Sequence, residues 1–226
     1  MRFPIPLFVV TTLSTAGITL AAATPAWSQT RPLPNPLARI DTTVVVGWLN
    51  ANKAELDEYD NWYSTASAGG AVGWYWTDHL KTELEYFVSS EVDRDVYTFT
   101  QQGPLSINRE SRFQFGTRRL AIGQHYQFMR NVTFHPYIAA GLDVNWESIA
   151  REDGEERIFD TNARLSRTGA PPERFPKRTE RHTRPFAGFG FKAYMSPRSY
   201  FRTDLKFVID GGVEEVMTRF GIGIDF

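Results

Sequence analysis

The residues best placed to do chemistry are ionisable side chains spaced two apart within apolar surroundings. Lys81, Glu83 and Glu85 form one such series, and Arg202, Asp204 and Lys206 form another. Arg119, Asp143, Lys192, Arg219 and Asp225 stand singly in the same kind of setting. A two-residue period puts side chains on one face of a strand, so these groups share a face and the apolar residues cover the opposite one. Acids and bases enclosed together are tolerated when they pair. They then form either a salt-bridged plug or, where gaps remain, a narrow path for a proton or small solute.

Other chemistries lack their parts. The histidines are His79, His125, His135 and His182. Acyl transfer needs a serine beside a histidine base and an acid to orient it. His125 is followed by Tyr126-Gln127, His79 lies in a turn and His182 in a loop, so no triad assembles and no enzyme activity is expected. His125 and His135 point inward on neighbouring strands, yet without a third clear ligand they read as hydrogen-bonded interior residues, so neither a metal nor a cofactor is expected. The chain has no cysteine, which removes disulfides and thiolate metal sites.

Residues 147–184 are divided by charge. Glu152, Asp153, Glu155, Glu156 and Asp160 make the first part acidic, whereas Arg164, Arg167, Arg174, Lys177, Arg178, Arg181 and Arg184 make the second basic. A solvated, partly disordered loop with mutually attracting halves accounts for this pattern. Arginine also suits bidentate phosphate contacts, which marks Arg174, Lys177, Arg178 and Arg181 as candidate contacts to lipopolysaccharide. Residues 55–60, with Trp62 and Tyr63, are a candidate face for a protein partner.

The elements that position these groups are strands. Apolar residues alternate at Val44-Val46-Trp48, at Ala68 through Trp76, at Leu80 through Val88, and at Leu120 through Phe128 with Gln124 as an exception. The pattern returns at Ile138 through Trp146, Ala187 through Ala193, Phe201 through Ile209, and Phe220-Ile222-Ile224-Phe226. Eight strands with short links at Thr77–His79, 130–133 and 196–198, and longer ones at 50–65, 89–111 and 147–184, predict a closed, antiparallel, up-and-down transmembrane β-barrel. The fourth distal link, Asp210-Gly211-Gly212, is a hairpin turn. Two further segments, 96–100 and 107–115, extend one hairpin or add a crossing pair. Phe113 and Phe115 differ in parity from Leu120 and Ile122, which predicts a bulge near Gly116 to Arg118. Trp48, Trp74, Trp76, Trp146, Tyr126, Phe128 and Phe226 collect near strand ends, as aromatic girdles do.

With 25 basic and 26 acidic residues, nothing draws the chain to nucleic acid. A mean hydropathy of −0.36 resembles a soluble protein, but alternation keeps the average low in a membrane barrel as well. Residues 1–28 have the form of a secretory signal peptide, with a basic start, an uncharged apolar stretch and Ala26-Trp27-Ser28 before the cleavage point. Residues 29–39, with Pro32, Pro34 and Pro36, read as an extended periplasmic leader, and 40–226 as the barrel.

Gly73-Trp74-Tyr75-Trp76, Pro136 through Leu142, Phe186 through Lys192, and the ending Gly221 through Phe226 resemble the small outer-membrane barrels of the OmpA-barrel, OmpX, OmpW and opacity-protein group. The resemblance spans about Ile40 to Phe226. It implies a Gram-negative-type outer membrane, contact with its lipid and lipopolysaccharide, and recognition of Phe226 by the barrel-assembly machinery. The expected role is structural or adhesive, through external loops above a filled lumen. The alternatives are a porin-like channel and a soluble ligand-binding barrel of lipocalin type, which needs its apolar face inward.

Overall fold

The computed structural model describes residues 39–57, 60–128 and 133–226. The expected signal peptide, nearly all of the leader and most of the 130–133 link lie outside the described residues.

Eleven strands form, with no helix among the described residues. They are β1 (Ile40–Asp57), β2 (Asp60–Tyr75), β3 (Leu80–Ser89), β4 (Val92–Gln102), β5 (Leu105–Gln127), β6 (Phe134–Asp153), β7 (Arg157–Asp160), β8 (Leu165–Thr168), β9 (Glu173–Tyr194), β10 (Ser199–Ile209) and β11 (Val213–Asp225). Eight close a ring in the order β1-β2-β3-β5-β6-β9-β10-β11, and β11 returns to β1 through pairs from Asp41↔Asp225 to Ala51↔Glu215. Every neighbour is antiparallel, so no ring strand keeps an open edge.

The strand count is therefore eight. β4 pairs only with β5, from Val92↔Phe115 to Gln102↔Leu105, and prolongs the wall instead of crossing beside it. Gly103, at φ 60°, turns this hairpin in a conformation that glycine adopts freely. The 147–184 region is built rather than loose: β6 runs on to Asp153, β9 starts at Glu173, and the β7–β8 hairpin lies along β5. A spanning strand needs about ten residues, so the 20 residues of β6 and 22 of β9 stand well clear of the belt.

The bulge expected near Gly116 to Arg118 is absent. β5 pairs with β6 without interruption from Ser111↔Asp153 to Gln127↔Tyr137. Phe113 and Phe115 have the parity of Arg119 and Ala121 and turn into the lumen. They belong to an apolar cluster with Leu49, Ala51, Leu56, Tyr63, Ile149 and Met217. Their phase difference from Leu120 marks a change in what fills the interior, from charge to aromatic, on one unbroken strand.

Outside and inside are inverted relative to a soluble barrel. Val44 is 71% exposed and Ile222 60%, whereas Lys81 is fully buried and Arg202 is 1% exposed. An apolar exterior around a charged interior is the arrangement that hydrocarbon requires, and it excludes the lipocalin-type reading. Small inward residues make room for large ones. A Cβ on Gly223 would meet the Tyr200 ring at 2.3 Å, and one on Gly123 would meet the Phe186 ring at 2.6 Å.

Candidate functional site

An eight-stranded barrel leaves an interior just wide enough for side chains, and here ion pairs fill it. At the end where β1 starts and β11 stops, Asp41 accepts from Lys81 (3.0 Å), Lys192 and the hydroxyls of Tyr75 and Tyr200 (both 3.1 Å). The Lys192 ammonium stands 3.9 Å from the Tyr200 ring centre. One level further in, Glu83 pairs with Lys81 and with Arg202 at 2.6 Å.

The centre is the densest part. Glu85 meets Arg202 at 3.2 Å, Lys206 at 3.1 Å and Arg219 at 2.8 Å. Asp204 accepts from Arg202 at 2.7 Å, from Arg219, and from the Tyr137 hydroxyl at 2.8 Å. Toward the distal end Lys206 reaches Asp143 at 2.9 Å, while Arg119 pairs with Glu215 and lies 3.8 Å from Asp143. Lys53 pairs with Glu147 above them. The apolar cluster then closes the mouth, with Tyr63 stacked on Phe115 at 5.1 Å.

All ten residues of the expected charge set (Lys81, Glu83, Glu85, Arg119, Asp143, Lys192, Arg202, Asp204, Lys206 and Arg219) are buried and joined in this chain of contacts. Sequence reasoning missed Asp41, Lys53, Glu147 and Glu215, all buried. Strand parity carried their signal, because Asp41 precedes Thr43 by two, Glu147 follows Asn145, and Glu215 precedes Met217. They lie beyond the runs of apolar alternation that mark the strands in the sequence. The tyrosine hydroxyls that complete the network were missed as well. In these positions they saturate carboxylate oxygens that one cation cannot cover.

His125 places Nε2 3.4 Å from Glu83 and stacks on Tyr137 at 5.1 Å, while His135 packs edge-on to Tyr194. Glu83, Glu85 and His125 present ligand-type atoms within 4.8 Å of one another. Four cations (Lys81, Arg202, Lys206 and Arg219) already neutralise the two carboxylates, so the cluster has no spare negative charge for a dication.

The four basic candidates on the distal side differ in state. Arg174 pairs with Glu152 at 2.9 Å, Lys177 with Glu91 at 2.6 Å and Arg178 with Glu180 at 2.8 Å. Arg181 instead lies over the Trp146 ring at 5.8 Å. Well outside the belt, burial pushes the Asp153 carboxyl up, but hydrogen bonds from Arg151 and Ser111 and the Arg151 and Arg109 charges outweigh it. Its pKa ends below the ordinary aspartate value. Phe226 points outward, 64% exposed, and its N–H donates to the Ile40 carbonyl at 2.8 Å.

These features define a small transmembrane β-barrel with a filled interior. Among solved structures, the chain is similar to Neisserial surface protein A at 11% identity and a TM-score of 0.54, covering 83% of this chain and 97% of that one. The N-terminal barrel domain of Pseudomonas aeruginosa OprF matches at 14% identity and a TM-score of 0.48, over 87% and 100% of the two chains. Ail of Yersinia pestis matches at 8% and 0.45, over 83% and 99%. No protein-family model and no curated protein matches the chain. The fold is that of the small outer-membrane barrels.

Proposed function

We propose that the protein is an outer-membrane barrel of a Gram-negative-type cell, exported with residues 1–28 removed, whose lumen is a structural plug and whose work is done by the distal extension. The observation that carries this reading is the double closure of the lumen, by a paired-ion layer and by an apolar layer above it. The buried charges, nine acids and eight bases among the described residues, nearly cancel and form no single-sign ring that would favour one ion. The chain commits long stretches of β4 to β9 to a sheet beyond the belt, where Tyr97 (71% exposed) and Phe99 (63%) stand in the open. Exposed aromatics on a rigid sheet suit contact with a partner at the cell surface. In this reading Phe226, aromatic and outward on the closing strand, is the assembly signal, and the outer-leaflet lipid is the immediate neighbour of the wall.

The test has two parts. Unboiled protein from the outer-membrane fraction runs faster on a gel than boiled protein, and the folded form gives no stable conductance in planar bilayers. Reproducible open events would replace the plug with the narrow channel.

A further inference from the structure

The outward wall is apolar up to a definite height and then changes character. Across β3, β5, β6 and β9, the register aligns Leu84, Ile122, Leu142 and Pro185, and then Tyr86, Leu120, Val144 and Thr183. The next row is Val88, Arg118, Trp146 and Arg181. Two arginines thus flank a tryptophan immediately above the belt, facing out. The Arg181 guanidinium lies 5.8 Å over the Trp146 ring, and neither arginine has an ion-pair partner among the described residues. This sets them apart from Arg112, Arg174, Lys177 and Arg178 on the distal part, each of which is paired with an acid. Arg118 and Trp146 border an open groove of about 560 Å³. Tyr86 and Val88 form its apolar side, and Ser148, Thr179 and the mutually paired Glu91 and Lys177 its polar side.

We propose that this row binds the phosphate of an outer-leaflet lipid headgroup. The inference rests on the outer-membrane reading and names a ligand class for the wall. Three observations select a phosphorylated lipid over a soluble anion or a peptide. The unpaired charges are positive and in arginine form, which matches phosphate bidentately. The tryptophan between them has the amphipathic character that favours headgroup depth. The groove is continuous with the lipid-facing rows below, so acyl chains can lie on Tyr86 and Leu120 while the phosphate meets the row. Arg118 and Arg181 stand two strands apart, about 10 Å between backbones, and their long side chains can converge from both sides of Trp146. The four basic residues chosen from sequence miss this pairing, because Arg118 lies outside the 147–184 segment.

The test uses the full barrel in phosphatidylcholine nanodiscs doped with phosphatidic acid, with native mass spectrometry counting retained lipid. Wild type retains phosphatidic acid over phosphatidylcholine, and Arg118→Gln with Arg181→Gln lowers that preference by about tenfold or more. A control double variant, Arg112→Gln with Arg174→Gln, whose side chains are acid-paired and lie outside the groove, keeps it. Equal retention by the Arg118/Arg181 variant overturns the proposal. So does full displacement of the lipid by millimolar inorganic phosphate, which makes the site one for free anion. Both arginines are exposed; if the double variant loses its folded gel band, the two single exchanges give the same readout at smaller size. The plug reading is judged separately by conductance, so either can fail alone.

Discussion

Glu85 is the most heavily engaged acid in the lumen, and replacing it by alanine tests whether the interior behaves as a dry, balanced network. Its carboxylate lies 2.8 Å from Arg219, 3.1 Å from Lys206 and 3.2 Å from Arg202. At an effective dielectric of about 20, each contact contributes on the order of 5 kcal/mol of gross attraction. The net effect is smaller, since Arg202 keeps Glu83 and Asp204, Arg219 keeps Asp204, and Lys206 keeps Asp143. Removal leaves the three cations around Glu85 one counter-charge short, among groups that are at most 4% exposed. Stranding a buried charge costs about 3–5 kcal/mol. With a urea dependence of about 2 kcal/mol per molar, the unfolding midpoint falls by roughly 2 M. Midpoints are read from the folded gel band after equilibration in lipid and urea. A second exchange, Lys206→Met, restores charge balance and recovers part of the loss in the double variant, by about 1–3 kcal/mol. A shift below about 1 kcal/mol for Glu85→Ala would refute the reasoning, because water would then be solvating the network.

Three further outcomes follow from the same geometry. Phe115→Ala removes a fully buried ring stacked on Tyr63 and Phe113 and lowers stability by about 3–5 kcal/mol; planar bilayers still show no conductance, because the Lys53–Glu147 and Arg119–Glu215 pairs seal the level beneath. Gly141→Ala drives a methyl into the Ile122 carbonyl and the Gly123 backbone, costing about 1–3 kcal/mol in the same urea assay, and an unchanged midpoint would mean that β5 and β6 separate freely there. Asp153 has a folded pKa below its unfolded value, so its contribution is fully present above about pH 4 and is lost as the pH falls through the lower folded value. Asp153→Asn therefore speeds proteolysis of the β6–β9 tip at neutral pH but not in strong acid, and an equal effect at both would remove the charge from the explanation.

Much of the barrel was legible because a membrane wall imposes the same rule on every strand. Val44, Leu84, Ile122 and Ile222 had to face lipid, and parity then turned Lys81, Glu85, Arg202 and Arg219 inward. Phe113 and Phe115 show where the rule that apolar residues face lipid misleads, since their parity is inward like that of Arg119. Their parity difference from Leu120 and Ile122 predicts a bulge near Gly116 to Arg118, although an inward aromatic layer needs none. The extension of β4 to β9 was hidden for another reason. Its charged residues, read as a solvated loop, are cross-strand partners such as Arg174 with Glu152, and partners 22 residues apart cannot be matched without the register.

The sequence alone determined the two faces of each strand, since alternation is a local property of the backbone. Which charge meets which was decided only by closing the ring. Glu85 of β3 reaches Arg202 and Lys206 of β10 and Arg219 of β11 across the lumen. The row of Arg118, Trp146 and Arg181 likewise exists only where β5, β6 and β9 lie side by side. A strand's period states which way a side chain points, but the distance between two side chains depends on how the strands are staggered around the barrel.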